Sequence, residues 1–163
     1  MAPLWRGRNH CGARSRKATV CYNSKNATMK ITICGSLKFF DKETEIQKEL
    51  ERRGHVVFMP IKAPGVDYWA EDNSTRVTAK RGMNLISEHM RKIEQSDAIL
   101  VANFTKGDIA NYIGANTFME MGFAHHLGKE IFILNRIPDQ QYIKDELESM
   151  ELTVLSGDLT RIA

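Results

Sequence analysis

Three cysteines in 163 residues are too few, and too irregularly spaced, for a disulfide framework or a zinc motif. Cys11 and Cys21 fall in the first thirty residues, and Cys34 sits inside an apolar run, where a buried free thiol is expected. Such usage points to a reducing, cytoplasmic setting. No apolar run nears the roughly 18 residues of a membrane-spanning helix, so no membrane partner is expected. Neither GxGxxG nor a P-loop occurs, which removes the dinucleotide fingerprint and the Walker-type phosphate cradle.

Acid is missing from one end only. Residues 1–30 hold seven Lys/Arg and no Asp/Glu. The other 16 basic residues face 20 acidic ones, a net of −4, so the overall +3 belongs to the leader. A mildly acidic domain argues against a nucleic-acid polymer as partner. Residues 1–28 carry no helical or strand periodicity and read as a disordered basic leader. Their composition leaves open an organellar transit peptide, or an upstream extension with Met29 opening the working domain of 29–163.

What is present begins at Lys30. The runs KITICG, HVVFMP, AILVAN, EIFIL and LTVL read as buried strands, apolar throughout rather than alternating. Between them, Phe39–Arg53 carries Phe40, Ile46 and Leu50 among charges and ends at Gly54, a helix with a glycine stop. Met83, Ile86, Met90 and Ile93 set a helix over Arg81–Gln95, and further helices are expected over 114–127 and about 140–150. The polar stretch 61–80 reads as a lid or flap. Five strands alternating with helices predict an α/β, three-layer sandwich with a five-stranded parallel sheet, flavodoxin-like or Rossmann-like. Ligands of such folds bind beyond the carboxyl ends of the strands, here at loops 35–40, 60–80, 103–116 and 135–139.

Two stretches carry candidate chemistry. Gly35, Ser36 and Lys38 follow the first strand and open a helix, and together suit a phosphate or sugar hydroxyl, or else form a turn and cap. In GANTFMEMGFAHHL, Glu120 stands among Phe118, Met119, Met121 and Phe123. It reads as a partly desolvated nucleophile or base, or as the closing glutamate of a capping box begun by Thr117. His125-His126 suits the end of the same helix, Asp97 caps or pairs locally, and Tyr68-Trp69 either stacks on a base or anchors its loop. No metal site is expected.

ICGSLKF, SEHMRKIEQSDAILVAN and GANTFMEMGFAHHLGKEIFIL resemble the nucleoside 2-deoxyribosyltransferase superfamily, including the 2'-deoxynucleoside 5'-phosphate N-hydrolases. The likeness covers about two-thirds of the chain, and its most specific part is the Glu120-Met121-Gly122 step. By that resemblance Glu120 falls on the nucleophile, which attacks the anomeric carbon and holds a covalent sugar ester. Gly35, Ser36 and Lys38 fall in the loop holding a 5'-phosphate, with Asn103, Gly114 and Asn116 completing the substrate-binding set. His89 stands where the family usually has the aspartate that helps protonate the leaving base, and takes that catalytic role; Glu88 or a lid residue is the alternative source. Gly114 stands where a polar residue is common. The resemblance implies a nucleoside or nucleotide substrate, no cofactor, and a homodimer or larger assembly. The competing readings are a nucleotide-binding sensor on the same fold and a structural partner protein in which Glu120 is only a cap.

Overall fold

The computed structural model describes residues 27–162, so the expected leader lies outside it apart from residues 27 and 28. Five strands form one parallel sheet: β1 (Lys30–Gly35), β2 (Val56–Phe58), β3 (Ala98–Ala102), β4 (Glu130–Ile133) and β5 (Leu152–Val154), in the order β2-β1-β3-β4-β5. The expected three-layer, flavodoxin-like architecture is what forms. β1 lies between β2 and β3, so the strand order reverses beside it and a crevice opens beyond Gly35.

Alternation along β1 decides which helix meets which side chain. Ile31 and Ile33 join Ile46 and Leu50 of α1 (Phe40–Arg52) on one face of the sheet, along with Leu155 and Ile162. Thr32 and Cys34 point the other way. Cys34 packs in the second core with Ile93 of α3 (Leu85–Glu94) and Met121 and Ala124 of α4 (Ala115–His126). Leu147 of α5 (Lys144–Ser149) fills the same layer toward β4. The Thr32 and Ser96 hydroxyls lie 2.6 Å apart, which ties β1 to the end of α3. Asp97 accepts from the Lys30 backbone N–H at 2.8 Å, the local pairing its position suggests.

The structure departs from the expected elements in two places. The expected helix over 81–95 is two helices, α2 (Ser74–Gly82) and α3, meeting at Asn84 with φ of 49°. Asparagine tolerates that left-handed turn better than other side-chain-bearing residues, and Gly82 weakens the helix before it. About a third of the expected flap, residues 74–80, is therefore helical. α5 is also shorter than the 140–150 expected, because Gln140 turns its side chain inward onto the Ile113 backbone. Among the described residues no helix is long and apolar enough to cross a membrane.

Candidate active site

Glu120 is only 4 % exposed, one and a half turns into α4. The Asn116 side-chain amide, one turn earlier, donates to its Oε1 at 2.5 Å. Among the described residues its Oε2 meets no hydrogen-bonding partner. The capping-box alternative fails on geometry, because Gly114 is the N-cap and Thr117 already lies within the helix. Glu120 therefore does not close the first turn, and its carboxylate points at the crevice.

His89 of α3 faces it, with Nε2 3.7 Å from Glu120 Oε1 and 3.6 Å from Cys34 Sγ. Three side chains from three elements thus meet within 4.8 Å of one another, all buried. Burial pushes Glu120 up to about 8; the Cys34 thiol and Asn116 amide draw it back, and the nearby Glu43 pushes it further. Burial holds His89 down to about 4, with Lys92 adding to the effect. At neutral pH the two are a neutral imidazole and a mostly protonated carboxyl, so their contact is not an ion pair. Burial, then Glu120, keeps the Cys34 thiol well above its ordinary value.

Two connected chambers open from this point. The inner one, about 500 Å³ including space open to solvent, reaches Glu120, His89, Asn116 and Gly35 beneath Pro60, Ile61 and Ile86. The outer one, about 830 Å³ on the same measure, adds Ser36, Lys38, Lys106, Tyr112 and Gly114. Gly35, Tyr68, Arg76, Lys80 and Asn116 line both. Among the described residues four cations, Lys38, Arg76, Lys80 and Lys106, face the outer chamber, and no carboxylate lines it. The first turn of α4 opens there too, with backbone N–H groups that have no partner within the helix. An anion is the chemical complement of that wall.

Of the residues expected to form a site, the structure gathers Glu120, His89, Gly35, Ser36, Lys38, Gly114 and Asn116 around one cleft. Asn103 is not among the lining residues. Its side chain is used up between loops, donating to the carbonyls of Asn111 (3.3 Å) and Arg136 (3.0 Å) and accepting from Asn135 N–H (2.8 Å). It is a clamp for the loops beyond β3 and β4. Tyr68 takes the anchoring role of the two foreseen for the pair. Tyr68 is buried with its hydroxyl accepting from Ala63 N–H at 2.9 Å, while Trp69 is 62 % exposed beside Phe39 and beneath the Lys38 ammonium.

Sequence reasoning missed Arg76 and Lys80, hidden in a stretch read as loop, and Glu43. The last is a fully buried glutamate of α1 whose two oxygens meet no partner, and burial pushes it up to about 8. In DKETEIQKEL it looks like any solvated helix glutamate. Only its i−3 spacing from Ile46 places it on the buried side.

No protein-family model matches the chain, and no curated protein matches it in sequence. Several solved structures are similar, two enzymes among them. One is a 2-deoxyribosyltransferase of Bacillus psychrosaccharolyticus, 22 % identical, with 64 % of this chain and 70 % of that one covered and a TM-score of 0.41. The other is a CMP N-glycosidase of Clostridium botulinum, 16 % identical, with 77 % and 86 % covered and a TM-score of 0.46. Likeness at this level bears on the fold alone.

Proposed function

We propose that the chain cleaves the N-glycosidic bond of a nucleoside 5'-monophosphate, with Glu120 as nucleophile. The observation that carries this is one carboxylate with a free oxygen at the floor of a cleft whose outer wall is cationic. A phosphate held by Lys38, Arg76, Lys80 and the start of α4 would direct the sugar inward, toward Glu120. The two similar enzymes, a deoxyribosyltransferase and a CMP N-glycosidase, fit the same bond.

The chemistry then divides into two displacements. In its ionised form, Glu120 Oε2 bonds to the anomeric carbon as the carbon–nitrogen bond to the base breaks, leaving a glutamyl ester. Water, or a second base, then attacks the same carbon and frees the carboxylate. Asn116 fixes Oε1 and so presents Oε2. His89, held neutral by burial, stands 3.7 Å from Glu120 Oε1 and at neutral pH is a polar neighbour of the nucleophile rather than a strong acid toward the leaving base. A homodimer is what the resemblance implies.

The test is release of free base from a panel of nucleosides and monophosphates, followed by chromatography. Glu120→Gln, with folding intact, abolishes release, and a 2-deoxy-2-fluoro sugar analogue labels the peptide containing Glu120. Binding of monophosphate with no release, unchanged in Glu120→Gln, makes the protein a nucleotide sensor instead.

A further inference from the structure

Cys34, His89 and Glu120 come from β1, α3 and α4, three packed elements, so their convergence is fixed by the fold. The sulfur–nitrogen and nitrogen–oxygen separations are 3.6 and 3.7 Å. Ligands placed tetrahedrally around zinc, at its usual bond lengths to S, N and O, lie about 3.3–3.6 Å apart. Those two spacings need at most a few tenths of an ångström of closure, and the sulfur and the carboxylate lie within 4.8 Å of each other, near enough for a side-chain rotation to bring them together. The set is chemically apt: one thiol, one imidazole and one carboxyl, buried together, with Glu120 Oε2 unpartnered. Asn116 already orients the carboxylate in the way that outer hydrogen bonds orient ligands in metal sites. Behind Gly35 the Glu43 carboxyl, both oxygens unpartnered, adds a further group that a dication favours.

We propose that Cys34, His89 and Glu120 form a three-ligand site for Zn2+, whose remaining coordination position faces the inner chamber. On binding, an S–Zn bond replaces the Cys34 S–H bond. The thiol proton, with that of Glu120 where it holds one, passes to solvent through the cleft, and no oxidation state changes. The ion is not needed for the displacement chemistry. It occupies the nucleophile, so on the glycosidase reading above, Zn2+ is an inhibitor that competes with the sugar.

Co2+ serves as the spectroscopic probe, added to the full chain under reducing conditions without substrate. The expected result is one equivalent bound with a thiolate-to-metal charge-transfer band, displaced by Zn2+. The band persists in Cys11→Ser/Cys21→Ser, which removes the other thiols, and vanishes in Cys34→Ser. His89→Gln keeps the thiol and weakens binding by at least about tenfold, the least that losing even an outer-shell partner costs a metal site. In an active preparation, Zn2+ suppresses base release and a chelator restores it. No thiolate band, or a band that survives Cys34→Ser, overturns the site and leaves the glycosidase reading intact. A Cys34-dependent band in a protein that releases no base upholds the site and sinks that reading.

Discussion

The carboxyl of Glu43 fills the space that any side chain on Gly35 would need. A Cβ at Gly35 would lie 2.3 Å from Glu43 Oε1 and 3.3 Å from the Ala102 methyl. Two residues eight apart in sequence thus form one surface under the cleft, and the glycine is there for space, not for an unusual backbone angle.

Gly35→Ala should therefore destabilise the fold by about 1–3 kcal/mol, the ordinary cost of overpacking. In a Glu43→Ala background most of that loss should disappear, because the displaced group is gone. Urea unfolding of the four chains of this double-mutant cycle measures the coupling. Additive costs would mean that the contact is not the cause.

The pH dependence of stability follows from the same carboxyl. Burial raises Glu43 from an ordinary 4.5 to about 8. Between those values the folded chain holds a proton that the unfolded chain has released. Stability therefore falls as pH rises through that window, by about 1.4 kcal/mol per pH unit for one proton. Glu120, raised for the same reason, adds to the slope. Glu43→Gln should remove one proton's share, leaving stability near pH 4 little changed and raising it near pH 8.5. Unfolding midpoints across that range decide it.

For catalysis the sign runs the other way. The nucleophile must be ionised, and in the empty site Glu120 loses its proton only near pH 8. The kcat/KM for base release should climb from pH 6 toward pH 8.5 with a midpoint close to 8, since this ratio reports the free enzyme. A flat profile across that range would remove Glu120 from the rate-limiting chemistry.

Lys80 offers the cleanest test of the anionic wall, because Arg76 also braces its own loop by donating to the Ala70 carbonyl at 2.7 Å. Lys80→Ala should lower kcat/KM for a monophosphate by roughly 10- to 100-fold, the worth of a charged hydrogen bond. The matching unphosphorylated nucleoside should be affected far less. Equal losses on both would show that the phosphate does not lie there.

The strands were legible because each is a short apolar run, and a parallel sheet followed from the repeated strand–helix alternation, while the order of its strands did not. Glu120 stood out because a charge among Phe and Met is anomalous, and the structure does bury it. Glu43 did not stand out, because its neighbours along α1 are charged and only the packing of α1 against β1 hides it. Asn103 was expected in the cleft because it ends β3 at the right edge. Its amide instead serves three backbone groups, a demand set by distant loops that no local pattern records. Arg76 and Lys80 were invisible for a related reason: the break at Asn84 made a second helix out of what reads as flap.

α2 buries none of its own side chains, and it meets α3 through a left-handed asparagine. Detaching it would free no fully buried side chain of its own, and since it packs chiefly on α3, the sheet would scarcely register the loss. The arm bearing Arg76 and Lys80 is thus the most weakly moored helix of the molecule's entrance, and a visitor's charge can be grasped without disturbing the foundation on which Glu120 stands.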